Sequence, residues 1–225
     1  MSDLWVVIPA AGESRRFKEA GYQTLKPLLT LKSPEGYIST MLGHVIKSLP
    51  AYPHHLIIAL PFGAKFIYDD VAKIEIARTR GQADSLFQVV QGVPSNDQVL
   101  VLDCDMLLKP KDLMLLVGLL QIYDISVAVT ETFDPNASRV DEVPIPTRFV
   151  EKQPISQWGI VGARGFRNAG ILTEALRKTL EETKEEPYLS MAMNNYPGTK
   201  IAHVITEYID FGTPERIKEA GWEIL

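Results

Sequence analysis

Short apolar runs at residues 4–8, 56–60, 74–77, 99–102 and 125–129 punctuate the first part of the chain. They are rich in Val, Ile and Leu and too short for helices, which predicts strands buried on both faces. Between them, residues 40–49, 82–92 and 109–121 carry apolar side chains at three- and four-residue spacing, the period of an amphipathic helix. Strands alternating with helices predict βαβ units and an α/β fold with a largely parallel sheet.

The rhythm changes near Asp134. Asp134-Pro135-Asn136 and Val143-Pro144-Ile145-Pro146 interrupt it, and strand-like pieces follow at 148–151 and 159–162. Helices are expected again at 173–183, 187–195 and 214–220, around a strand at 201–206. With no internal repeat, low-complexity tract or dividing linker, the chain reads as one domain over 1–225. Its part from about 135 to 225 reads as a substrate-facing elaboration of the part before about 134.

Composition narrows the class. With 225 residues, 46% of them hydrophobic, the chain is long enough to build a core without a disulfide framework or a metal staple. The lone Cys104 cannot close an internal bridge. The first eight residues lack a basic leader and read as a strand. The longest apolar window, 113–120, falls far short of the roughly 18 residues a membrane span needs. A cytoplasmic protein with no membrane partner is therefore expected. A net charge of −5 argues against nucleic-acid binding, which needs a broad basic face, so any phosphate site has to be local. Self-association is left open. His44, His203 and the pair His54-His55 have no partner motif and read as structural or solvated.

Four motifs carry candidate chemistry. In the first, the strand Val7-Ile8-Pro9 ends in Ala10-Ala11-Gly12-Glu13-Ser14-Arg15-Arg16-Phe17, with Lys26-Pro27 beyond. Small residues let a backbone close on an anion, and arginine forks can hold phosphate oxygens. The same stretch also fits an ordinary strand-to-helix turn. It is not a Walker loop, because no Gly-Lys-Ser/Thr closes it. In the second, an apolar strand ends in Asp103-Cys104-Asp105. Strand alternation puts both carboxylates on one face, where two hard oxygen ligands suit Mg²⁺, while Cys104 points into the core. Either aspartate could instead cap the following turn. The third is Asp210-Phe211-Gly212-Thr213-Pro214, with Thr213 a natural N-cap and Pro214 suited to the first helical position; Asp210 could serve that turn alone. The fourth is Glu151-Lys152-Gln153-Pro154, which could equally be a solvated pair on an edge strand.

Ala-Ala-Gly-x-x-x-Arg-Phe followed ten residues later by Lys-Pro-Leu resembles the nucleotide loop of the sugar-phosphate nucleotidyltransferase family, and the stretch from Phe17 to Tyr22 resembles a subset linked with capsule and cell-surface sugar activation. The chain departs from the family pattern at Ser14, where the family has Gly, and at Arg15, where it has Ser or Thr. The resemblance implies a Rossmann-like three-layer α/β/α sandwich of the nucleotidyltransferase (GT-A-like) type. It also implies a nucleotide-binding half over about 1–134 and an acceptor-binding half over about 135–225. Residues 10–15 and Gln82 would meet the nucleotide, Arg16 would grip the triphosphate, and Lys26 would serve the phosphates. Asp105 and Asp210, with Asp103 as a further candidate, would hold Mg²⁺. Glu151 and Lys152 resemble the family's Val-Glu-Lys-Pro element, with Gln153 inserted, and would meet the acceptor. Asn168-Ala169-Gly170-Ile171 resembles the segment whose glycine lies against the sugar.

The implied reaction joins a nucleoside triphosphate to a sugar 1-phosphate and releases pyrophosphate. Three alternatives remain: a cytidylyltransferase acting on phosphocholine or another small phosphomonoester, a metal-dependent glycosyltransferase using Asp103-Cys104-Asp105, and a non-catalytic sugar-nucleotide-binding relative.

Overall fold

A computed structural model describes residues 2–51, 54–65, 71–76 and 79–225. The first part of the chain forms β1 (Leu4–Pro9), α1 (Arg15–Glu19), a 3-10 turn at Lys26–Leu28, β2 (Thr30–Lys32), β3 (Ile38–Thr40) and α2 (Met41–Lys47). It continues through β4 (His55–Pro61), β5 (Ala72–Ile76), α3 (Gln82–Val90), β6 (Gln98–Leu102), β7 (Met106–Leu108), α4 (Pro110–Leu119) and β8 (Ile125–Glu131). Beyond residue 134 come β9 (Ser138–Val140), β10 (Phe149–Glu151), β11 (Trp158–Phe166), α5 (Ala169–Glu182) and α6 (Leu189–Asn195). The chain ends through β12 (Lys200–Val204), β13 (Tyr208–Asp210), α7 (Pro214–Glu219) and β14 (Glu223–Ile224).

The expected strands and helices form, with informative differences. β5 pairs only with β4 and lies half exposed at the sheet edge, because Lys73 and Glu75 alternate with its apolar residues; Ala77 lies outside the described residues. The helix expected at 173–183 begins at Ala169, since the Asn168 side chain accepts from the Ile171 N–H and caps it there. The strand piece at 159–162 is the middle of a nine-residue strand, β11.

In the main sheet β6, β1, β4 and β5 run parallel, as do β8 and β12. β11 enters between β6 and β8 antiparallel to both. Its register slips between Ile160 and Arg164, around Gly162 with φ +58°. Past that slip, the first part of β11 leaves β6 and pairs with β9, which carries β10. The sheet therefore runs continuously across residue 134.

Helices cover both faces. Val7 of β1 and Val101 of β6 pack with Leu86, Val89, Leu172 and Leu176 of α3 and α5. Their neighbours Val6, Ile8 and Leu100 face the other way, onto Leu42, Val45, Leu113 and Leu116 of α2 and α4. This alternation along each strand builds the three layers. A third cluster joins Phe17, Leu29, Leu31, Met41, Phe211, Ile217 and Trp222. It holds α1 against α7, and so fixes Arg16 and Asp210, the residues beside Phe17 and Phe211. Buried His44 belongs to this region, with its Nε2 3.2 Å from the Leu31 carbonyl and its ring edge-on to Trp222.

Candidate active site

β1 lies between β4 and β6, so its carboxyl end opens at the centre of the sheet. Ala10 still belongs to the sheet, donating to the Ala59 carbonyl at 2.8 Å. Beyond it the loop turns at Ser14, which sits in the left-handed region at φ 55°. Glycine adopts that conformation without the cost a Cβ brings, which accounts physically for the Gly of the family pattern. Ser14 recovers part of the cost, because its Oγ accepts from the Lys26 N–H at 2.8 Å. Loop and lysine are thereby joined.

The carboxylates lie just past the strand rather than on it. β6 ends at Leu102, and Asp103-Cys104-Asp105 forms the turn into β7. Asp103 and Asp105 nevertheless both reach the cleft, and Cys104 is buried as expected, burial pushing its thiol up to about 12. Lys26 Nζ lies 2.7 Å from Asp105 Oδ2, with about a fifth of each side chain exposed. Burial opposes charge on both, but their mutual attraction prevails, leaving Lys26 raised and Asp105 lowered. Both remain ionised at neutral pH.

Asp103 is held differently. Gln82 Nε2 donates to its Oδ1 at 2.9 Å, and Arg164 Nη1 lies 2.7 Å from its Oδ2, with only 7% of the Arg164 side chain exposed. Asp103 is thus the counter-charge of an arginine that is almost wholly buried. Both of its carboxylate oxygens are therefore engaged within the protein, although it lines the cleft. Gln82 lines the cleft, but its amide nitrogen is committed to Asp103.

Asp210 ends β13, which pairs with β7 and so stands beside Asp105. The Phe211 N–H donates to the Asp105 carbonyl at 2.7 Å. A Cβ on Gly212 would stand 2.8 Å from Asp210 Oδ1 and 3.7 Å from Asp105 Oδ2, so the two carboxylates face one spot that carries no side chain. Asp210 Oδ1 accepts from the Gly212 N–H at 2.6 Å, and Oδ2 pairs with Arg216. Thr213 caps α7 and Pro214 starts it, as the sequence predicts. Among the described residues no cluster of three or more His, Cys, Asp or Glu side chains could hold a metal alone. Two carboxylates completed by phosphate oxygens is the arrangement Mg²⁺ favours, and the residues present fit it.

A cleft of about 750 Å³ gathers residues 9–16, Lys26, Gln82, Asp103, Asp105 and Glu151, with Glu186 and Tyr188 at its far wall. A second cavity of about 530 Å³ lies beside it, lined by Asp134, Arg164, Asp210, Arg216 and residues 159–161 of β11. Arg16 and Asp103 border both. The Arg16 side chain makes no ion pair among the described residues, whereas Arg15 lies 3.7 Å from Glu13 on the surface.

Of the four residues expected to meet the acceptor, one lines the cleft and three do not. Glu151 lines the cleft, accepting from Ser138 and Ser190. Lys152 lines neither cavity; it adopts φ 52° and donates to the Tyr188 hydroxyl at 2.7 Å, so it stands on the rim through Tyr188. Asn168 and Gly170 lie at the opposite end of the sheet, which corrects their assignment to the acceptor. β11 runs antiparallel, so the segment after it emerges where β6 begins: the Ala169 and Gly170 N–H groups donate to the carbonyls of Asp97 and Ser95. The β11 residues that border a cavity are Gly159, Ile160, Val161 and Arg164. Arg164 carried a signal in the sequence, since an arginine inside the apolar run 158–166 demands a buried counter-charge.

A mostly parallel sheet whose carboxyl edge gathers a small-residue loop, basic side chains and paired aspartates defines a Rossmann-like α/β nucleotidyltransferase. The chain belongs to the MobA-like NTP transferase domain family, whose model matches residues 6–154. Solved structures share the fold. The nucleoside-diphosphate-sugar pyrophosphorylase from Vibrio cholerae RC9 superposes with a TM-score of 0.77 at 22% identity, covering 96% of this chain and 98% of that one. UTP-bound UGPase from Acinetobacter baumannii gives 0.75 at 18% identity, covering 98% and 92%. The inositol-1-phosphate CTP transferase from T. maritima gives 0.73 at 14% identity, covering 98% and 94%. No curated protein sequence matches the chain. No helix among the described residues is long and apolar enough to cross a membrane.

Proposed function

We propose that this nucleotidyltransferase couples a nucleoside triphosphate to a sugar 1-phosphate, with Mg²⁺, giving a nucleoside diphosphate sugar and pyrophosphate. The observation that carries the reading is that Asp105, beside Lys26 in the cleft of the Ala10–Arg16 loop, and Asp210, in the neighbouring cavity, both come close to Gly212. The sugar-nucleotide enzymes among the structural neighbours support the choice of acceptor. We read the chain as one catalytic unit, with its nucleotide-binding half before about residue 134 and its acceptor-binding half after it.

The acceptor phosphate oxygen attacks the α-phosphorus and pyrophosphate leaves, so no covalent intermediate is needed and the protein's work is positioning and charge neutralisation. Residues 10–15 close on the nucleotide, and Arg16, with no ion pair among the described residues and bordering both cavities, takes the leaving phosphates. Lys26 stays charged and serves the phosphates at the reacting centre. Asp105 and Asp210 would hold Mg²⁺, which supplies charge neutralisation at the triphosphate. Gln82 shapes the nucleotide side of the cleft while fixing Asp103. Glu151 meets acceptor hydroxyls, and Lys152 reaches the acceptor phosphate from the rim.

The test is to incubate the protein with each nucleoside triphosphate, Mg²⁺ and a panel of sugar phosphates and phosphocholine while following pyrophosphate. Release with a sugar 1-phosphate is expected. Release with phosphocholine alone, or with no acceptor in the panel, would sink the acceptor assignment.

A further inference from the structure

Arg216 occupies a place that the reaction, as proposed above, must share. Its Nη1 pairs with Asp210 Oδ2, and its Nη2 lies 2.7 Å from Asp134 Oδ2. The guanidinium thus bridges two carboxylates across the second cavity. Its backbone is pinned, since the Thr213 Oγ accepts from the Arg216 N–H in the first turn of α7. The side chain itself is partly exposed and long enough to shift between its two partners.

Asp134 is built to receive that cation. Its Oδ1 accepts from the Asn136 N–H at 2.8 Å, and its own N–H donates to Thr132 Oγ1 at 3.1 Å. Its carbonyl accepts from buried Arg139 at 2.7 Å. The carboxylate is therefore oriented before Arg216 arrives, and these contacts hold it below the usual carboxylate range, the Asn136 N–H foremost and Arg216 next. An arginine cannot surrender its proton near neutral pH, so Asp210 is freed from it only by movement of the side chain.

We propose that Arg216 is the resident counter-cation of Asp210, which a divalent metal ion must displace, and that Asp134 is the second carboxylate that retains it afterwards. Arg216 and Asp134 are then positioning residues that set metal affinity without touching substrate. The inference rests on the proposed metal site at Asp105 and Asp210.

Mn²⁺ binding to the full chain, read by electron paramagnetic resonance with and without a non-hydrolysable α,β-methylene nucleoside triphosphate, tests it independently of turnover. Arg216→Gln removes the competitor and is expected to tighten Mn²⁺ by about tenfold, as for loss of one charge-assisted pair. Asp134→Ala leaves Arg216 wholly on Asp210 and is expected to weaken Mn²⁺. Arg216→Lys, which keeps the charge, should stay near wild type. Circular dichroism on each variant checks folding. Unchanged or weaker Mn²⁺ binding in Arg216→Gln, or unchanged binding in folded Asp134→Ala, overturns the proposal. A different result marks failure of the underlying reading: Asp210→Asn binding Mn²⁺ as tightly as wild type removes the metal site, and this inference with it.

Discussion

The two ends of the central strands hold carboxylates in opposite ways. At the rear, Asp97 accepts from the Asp3 N–H and the Trp5 indole through its side chain, and from the Ala169 N–H through its carbonyl. Its side-chain partners are neutral donors fixed in the scaffold, and it borders neither cavity. At the front, Asp105 and Asp210 pair with the ends of long cationic side chains, Lys26 and Arg216, next to open space. A carboxylate satisfied by fixed neutral N–H groups belongs to the framework. One balanced by a cation that can move aside has a charge to offer a ligand.

The sharpest way to break this contrast is at the front. Asp105→Asn and Asp210→Asn are each expected to lower turnover by about a hundredfold or more, the scale of losing a placed charge at the reacting centre. Pyrophosphate release at limiting Mg²⁺ reads this, and near-wild-type rates in both would empty the front carboxylates of their role. Next in size, Arg16→Ala should cost about ten- to a hundredfold in kcat/KM, more in kcat than in nucleotide affinity, as for a lost charge-assisted contact. Arg15→Ala, whose partner is a surface glutamate, should cost less. The reverse ranking in steady-state kinetics would show that the loop presents the other guanidinium.

Lys152→Ala probes the rim between the two kinds of region. Its ammonium already has a partner in Tyr188, so a loss of about tenfold in acceptor kcat/KM is expected, with the KM for the triphosphate little changed. Unchanged acceptor kinetics would restrict Lys152 to holding Tyr188 in place. Smallest of all, Asn168→Ala at the rear should leave both substrates' kinetics untouched and lower stability by about 1 kcal/mol, the usual cost of losing an N-cap. Urea denaturation beside the kinetic assay measures both, and a raised acceptor KM would return the segment to the site.

The cleft around the first loop was legible because its logic is local. Each apolar run leads within a few residues to its own loop, and in a parallel sheet every such loop opens on the same edge. Residues 10–16 and Asp105 follow such runs directly, while Lys26 was joined to them by the resemblance to the family. The segment after β11, expected at the acceptor, depends on strand direction, which an apolar run does not encode. β11 was visible as a strand, but nothing in its composition tells that it runs against β6, and that reversal sends Asn168 and Gly170 to the rear. The pairing of Asp103 with Arg164 was hidden for a related reason, since it joins the turn after β6 to a strand far along the chain. Ribbons as short as β7 and β9 leave no periodic signal of their own.

The slip in β11 also bears on how such an enzyme diversifies. β8 runs along both parts of β11, whereas on the other side β6 joins only the part beyond Gly162 and β9, which carries β10, joins the part before it. The stretch from about 132 to 157 is tied to the rest of the fold at separate points: Phe149 exchanges two hydrogen bonds with Asn194 of α6, the Ala202 N–H of β12 donates to the Pro144 carbonyl, and Asp134 pairs with Arg216 of α7. A change of length between those ties leaves the central strands in register, whereas a change at one of them has to be matched by its partner on α6, β12 or α7, so evolution or a protein engineer has room to vary this region only in its turns.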